Sequence, residues 1–198
     1  MSSLERVQTQ LERCGYTVHA FPDRAAAAEH LNRVIDGTTV GFGGSVTLQE
    51  MGLYESLGAH NTVAWHWKQT EGDPLSAAAA AEVYLTSVNA LAETGEIVNM
   101  DGNGNRVASM LYGHRKVFFV IGRNKLAPTL EAAIHRTRNI AAPKNAQRLK
   151  RRTPCAIRAD RCYHCSSPDR ICCAMTILYR PMMNAEAEIL LIDEDLGY

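Results

Sequence analysis

Apolar positions recur at helical spacing from the start of the chain. Leu4, Val7 and Leu11 mark an amphipathic helix over residues 3–13, and Gly15 ends it. Tyr16 to Phe21 (YTVHAF) alternates and is rich in β-formers, so a strand is predicted there. Pro22 and Asp23 start a second helix that runs to about Ile35, and Asp36-Gly37 closes it. Thr39, Val40 and Phe42 read as the end of a buried strand, with a helix from about Thr47 to Leu57. Thr62 to Trp65 is a short strand. Asp73-Pro74 opens a helix through the alanine run Ala77 to Ala81, and Val83 to Val88 is the next strand. This alternation of helix and strand predicts an α/β fold, an open and mainly parallel sheet with helices on both faces.

The second half is less regular. Glu96 to Met100 reads as a strand. Asp101-Gly102-Asn103-Gly104 carries a hairpin signal because each pair favours positive φ, so Arg106 to Leu111 is expected as the return strand. Lys116 to Ile121 (KVFFVI) is almost wholly apolar, as a strand buried on both faces must be. Pro128 to Ile140 is predicted helical, with Pro143 as its end. From Lys144 to Arg170 periodicity fades, and Met175 to Tyr179 and Glu188 to Ile192 are the last strands. One domain accounts for the 198 residues.

Composition narrows the function classes. Lys and Arg total 21, as do Asp and Glu, so the overall charge gives no reason to expect nucleic acid or an acidic membrane surface. The N-terminus has no apolar leader, and apolar runs reach only about five residues where a span needs ~20. The expectation is a soluble, cytoplasmic protein, with a homodimer as the default assembly.

Two stretches carry candidate chemistry. In TTVGFGGSVTLQEMG (38–52), a strand runs into Gly43-Gly44 and then a helix start. Ser45 or Thr47 opens that helix, and Thr47, with Glu50 three residues on in capping-box spacing, is the expected N-cap. Backbone N–H groups at such a turn suit a negative group, against the bland alternative of a tight turn with no ligand. Farther on, Asn89 and Asn105 offer side-chain amides that orient a ligand or stabilise turns. His66, His114 and Trp65 have no partner pattern and read as packing or surface. No G-x-G-x-x-G with a following acidic residue is present, so no dinucleotide is assigned.

The other stretch is a cysteine cluster. Cys155, Cys162, Cys165 and Cys172 form C-x6-C-x2-C-x6-C, with Cys173 adjacent. Thiolates are soft ligands, and a C-x2-C pair brings two sulfurs to one centre. Between Arg148 and Arg170 seven Lys or Arg stand against two acids, a surplus that offsets thiolate charge. The spacing matches neither a zinc ribbon nor the bacterial ferredoxin run. An iron–sulfur cluster and zinc both stay open at this point, as do reduced buried thiols and a reversible disulfide. Cys14 stands alone and reads as structural.

Three stretches together resemble the lactate-utilisation (LUD) domain family: VGFGGSVTLQEMGL (40–53), NALAETGEIVNMDGNGNRVASMLYG (89–113), and IAAPKNAQRL (140–149) through CYHCSSPDRIC (162–172) to LIDEDLGY (191–198). The likeness is to a cysteine-bearing branch, whose C-terminal segment carries a C-x2-C, an RIC triplet and DLGY. It implies a fold like the sugar-phosphate isomerases, CoA transferases and formyltetrahydrofolate cycloligases. It also implies a role in L-lactate oxidation beside iron–sulfur oxidoreductase subunits. Gly43, Gly44, Ser45 and Thr47 match the family's G-G-S-x-T loop. Glu93-Thr94-Gly95 is similar to the turn that bears the nucleophilic glutamate of CoA transferases, which would make Glu93 a nucleophile or base. The expectation is an organic-acid protein with an anionic small molecule held where Gly43–Thr47 meets Glu93–Asn105. The alternatives are a metal- or cluster-bearing subunit docked on an oxidoreductase, and a redox-switched regulatory module.

Overall fold

A computed structural model describes residues 3–198. The first half follows the hydrophobic pattern closely: α1 (Ser3–Arg13), β1 (Thr17–Phe21), α2 (Arg24–Val34), β2 (Thr39–Phe42), α3 (Val46–Glu50), α4 (Leu53–Gly58), β3 (Thr62–Ala64), α5 (Pro74–Ala79) and β4 (Val83–Thr86). Asp23 caps α2 by accepting from Ala26 N–H at 2.8 Å. The second half comprises β5 (Ala90–Ala92), β6 (Ile97–Asp101), α6 (Asn105–Leu111), β7 (Lys116–Gly122), a 3₁₀ turn (Arg123–Lys125), β8 (Leu126–Ala127), α7 (Leu130–Arg136), α8 (Ala142–Arg148), α9 (Pro154–Arg158), β9 (Ala174–Leu178) and β10 (Glu186–Ile192).

Six strands pair in the order β1-β10-β7-β4-β2-β3, and every pairing is parallel. Alternation along β7 shows how both faces are covered. Val117, Phe119 and Ile121 pack in a core with Val7 and Leu11 of α1 and Val107 and Met110 of α6. Phe118 and Val120 point the other way, to Leu31 of α2, Leu48 of α3, and Leu53 and Leu57 of α4. A second sheet, β8-β5-β6-β9, mixes one parallel pairing with two antiparallel ones. One face of it joins the first core through Leu91 and Ile97. The other carries Ala90, Ala92 and Val98 against Ala133 of α7. Among the described residues no helix is long and apolar enough to cross a membrane.

Several sequence-based expectations are corrected. The cap of α3 is Ser45, whose Oγ accepts from Leu48 N–H, while Thr47 is wholly buried and bonded elsewhere. Arg106 to Leu111 is the helix α6 and not a return strand. Gly104 takes φ 81° and turns the chain, and the Asp101 carboxylate then accepts from the N–H groups of Arg106 and Val107. The antiparallel partner of β6 is instead the distant β9. Pro143 does not end its helix. A π turn over Thr137–Ala141 lets Ala142 N–H reach Thr137 O, five residues back, and the wider turn admits a residue with no N–H. The segment 144–170 holds the end of α8 and all of α9. Ala90-Leu91-Ala92, too short and small to signal a strand, is β5.

The alanine helix earns its composition by proximity. A Cβ on Gly41 in β2 would stand 2.3 Å from Ala78 O of α5. Gly41→Ala should therefore lower the unfolding free energy by about 2 kcal/mol or more, as overpacking does. Urea titration followed by circular dichroism measures this, and a loss under about 0.5 kcal/mol would show that α5 does not press on β2.

Candidate functional site

Because the large sheet is wholly parallel, the carboxyl ends of β2, β4 and β7 open on one rim. The loops that leave them carry Gly43 to Thr47, Ser87 to Asn89, and Arg123 to Lys125. They surround a cleft of about 300 Å³, closed by α6, by α8 and by Gly197-Tyr198 of the tail.

Lys125 is the central feature. It is 3% exposed, and its Nζ donates to Thr47 Oγ1 and to Ser87 Oγ, both at 2.7 Å. Thr47 Oγ1 passes its own proton to Leu196 O at 3.3 Å, and Ser87 Oγ donates to Val120 O, so both hydroxyls are oriented to accept from the lysine. Among the described residues the third ammonium proton has no partner, and Lys125 lines the cleft. Burial, reinforced by the charges of Arg136 and Arg106, pushes its pKa down to about 7.

Arg106, the second residue of α6, lies across the floor. Its guanidinium donates to Ser87 O (3.0 Å), Asn99 Oδ1 (2.9 Å), Asn89 Oδ1 (3.0 Å) and Met100 O (2.8 Å). Burial lowers its pKa too, with Asp101 opposing. Arg136 of α7 stands behind, donating to Asn124 O at 3.0 Å and to Asn89 O. At the rim Arg148 stacks over the Trp67 ring, 4.3 Å from its centroid, and donates to Tyr198 Oη at 3.0 Å. The lining carries Arg106, Lys125, Arg148 and Arg151 against Asp101 alone among acids. Asp101 is itself occupied, taking the first N–H groups of α6. This is a concave cleft with surplus positive charge, and such a shape focuses the field that draws an anion.

The predicted site residues divide. Gly44, Ser45, Thr47, Asn89 and Asn105 line the cleft together. Gly43 is not in the lining: its N–H is bonded to Leu85 O at 2.9 Å, and a Cβ there would stand 2.9 Å from Tyr84 Oη and 3.2 Å from Arg106 Cγ. The Asn89 oxygen is already spent on Met100 N–H (2.7 Å) and Arg106, so that side chain sets the floor. Glu93 is not in the cleft. It lies at the far end of β5 from Asn89, about 13 Å away at ~3.3 Å per residue. Its turn packs on α1, where Gln10 Nε2 donates to Thr94 O at 3.0 Å. The expected meeting of Gly43–Thr47 with Glu93 therefore does not occur. The helix-terminus argument also weakens: α3 has five residues and Ser45 caps it, so the positive charge comes from side chains. Trp65 and His114 are packing residues, as expected, but His66 lines the cleft, and burial lowers its pKa.

Sequence reasoning missed Lys125, Arg106 and Arg148. A cation three residues past an almost wholly apolar strand (KVFFVIGRNK) was the available sign for Lys125. Cys155, Cys162, Cys165 and Cys172 all line a separate cavity of about 160 Å³, while Cys173 does not.

A six-stranded parallel sheet flanked by helices, with a cationic cleft at its carboxyl rim, places the chain in the α/β class. Within it, the profile of the LUD domain matches residues 4–192, and the chain belongs to the LUD-domain family, which is linked to lactate utilisation in general. A DUF162 family protein from Deinococcus radiodurans, DUF162 being the former name of the LUD domain, has a similar crystal structure. The TM-score is 0.54 at 13% identity, over 97% of this chain and 99% of that one, which shows a shared fold. No curated protein matches the sequence.

Lys125→Met tests the burial of charge. A lysine whose folded pKa is depressed burdens the folded state fully below that pKa, and the burden fades as pH rises toward the unfolded value near 10.4. The variant should gain stability relative to the natural chain most at pH 6, and the gain should shrink steadily from pH 7 to 10. A difference independent of pH would mean that Lys125 is not held in a low-dielectric site.

Proposed function

We propose that this chain binds an anionic small molecule in the cleft, a 2-hydroxy acid of the lactate type, and serves organic-acid utilisation in the cytoplasm. The observation that carries the reading is a buried lysine held by two hydroxyls in the lining of a cleft that Arg106 and Arg148 make positive. A carboxylate there completes the hydrogen bonding of Lys125 and restores its charge, since an anion beside a buried lysine favours the protonated form. The family's link to lactate utilisation selects a small hydroxy acid among anions of similar charge. The neighbouring amides of Asn105 and the hydroxyl of Ser45 suit the acid's own hydroxyl group.

Calorimetry with L-lactate, glycolate, inorganic phosphate and a nucleoside monophosphate tests the reading. Binding of the hydroxy acids should be lost in Lys125→Met and in Gly44→Glu, where the new carboxylate enters beside Trp67, and weakened about tenfold in Arg148→Ala. Because the protonated lysine is the binding form, the association constant should be flat below pH 6. It should then fall by up to tenfold per pH unit above about 7. Preference for phosphate or nucleotide over every hydroxy acid would overturn the substrate class. Absence of any binding would overturn the site.

A further inference from the structure

The second cavity brings together four thiols that lie up to seventeen residues apart in sequence. Fifteen residues, 159–173, connect α9 to β9 without helix or strand. A structureless connection of that length inside a compact domain needs something to hold it. Cys162, Cys165 and Cys172 in this connection and Cys155 on α9 all turn onto the same cavity of about 160 Å³. All are free thiols. The remaining wall is half apolar, with Met100, Ala142, Pro143 and Ile171, and half polar, with His164 beside the formal charges of Arg138 and Arg170. Three of the sulfurs already have hydrogen-bonding neighbours. Arg170 Nε donates to Cys172 Sγ at 3.3 Å, His164 N–H donates to Cys162 Sγ at 3.4 Å, and the Thr153 hydroxyl stands 3.3 Å from Cys155 Sγ. Donors of this kind steady thiolate ligands and tune the centre that they hold.

The four sulfurs stand around the cavity and are not gathered at one point. A tetrahedral zinc with Zn–S bonds near 2.3 Å would hold its sulfurs ~3.8 Å apart. Among the described residues, no three of these thiols have sulfurs all within 4.8 Å of one another. A polynuclear cluster places several irons and bridging sulfides between its thiolates and so spreads them more widely. Four thiolates supply the donor set that such a cluster requires, and Arg138 and Arg170 offset its charge.

We propose that Cys155, Cys162, Cys165 and Cys172 together ligate one iron–sulfur cluster of two or more irons in this cavity. The cluster site and the anion cleft share Met100, Ala142 and Ile171 as a common wall, so a one-electron centre would stand directly beside the bound anion. The inference does not rest on the anion reading, because iron is counted whether or not the cleft binds an acid.

The full chain purified without oxygen should contain at least two irons and two acid-labile sulfides per polypeptide. It should also show a broad absorption near 400 nm that dithionite bleaches. Cys162→Ser and Cys172→Ser should each lose more than four-fifths of the iron and sulfide. Cys173→Ser and Cys14→Ser, whose sulfurs lie outside the cavity, should keep the full complement. Circular dichroism checks that the variants are folded. One zinc per chain without sulfide, a metal-free protein with every thiol titratable, or a reversible disulfide among the four cysteines would each overturn the proposal. Equal iron loss in Cys173→Ser and Cys172→Ser would do the same.

Discussion

Parallel pairing of β4 with β2 on one side and β7 on the other governs the rest of this molecule. Parallel strands deliver their carboxyl ends to a single rim, so loops from residues 43, 87 and 123 onward leave the sheet side by side. The pairing also buries the middle strands on both faces, which is why KVFFVIG has no polar interruption until Arg123. Lys125 then has little choice of surroundings. It follows β7 by three residues and lies between Thr47 of α3 and Ser87 at the end of β4.

An ammonium in that position is costly unless its protons are satisfied, and only two of them are. Arg106 and Arg136 raise the cost, since three cations share one small volume. The arrangement is a cluster of like charges kept together by backbone and hydroxyl acceptors, a state that favours an anion. The tail adds to this enclosure. Leu196 is buried, Leu196 N–H and Gly197 O bond to the Asn124 side chain, and Gly197 N–H reaches Glu50. DLGY is thus a wall of the cleft and not a trailing end.

The second sheet explains why a cysteine-rich segment can lie close by. β9 crosses from the far end of the chain to pair with β6, and it brings residues 170–173 onto the turn that leads into α6. Cys173 N–H bonds Asp101 O at 3.0 Å, and Gly102 lies close enough to Ile171 that a side chain there would press on its carbonyl. Asp101 therefore serves both neighbourhoods: its carboxylate caps α6, and its backbone carries the cysteine segment. The π turn between α7 and α8 completes the shared wall by letting the helix run past Pro143 to Arg148.

Local pattern was enough for most of the architecture. Helical spacing in α1, alternation in β1 and the apolar run of β7 each announce themselves, because burial on one face or two leaves a period in the sequence. The glycine loop and the spacing of the four thiols were equally legible, since both depend on residues near one another in the chain. The tertiary structure alone decided that α6 is a helix, that Ser45 and not Thr47 is a cap, and that Glu93 lies outside the cleft lining. It alone singled out Arg106, Lys125 and Arg148. The physical reason is that the worth of a charge depends on what surrounds it. Lys125 owes its surroundings to segments 38 and 78 residues away, a distance over which no local period can speak.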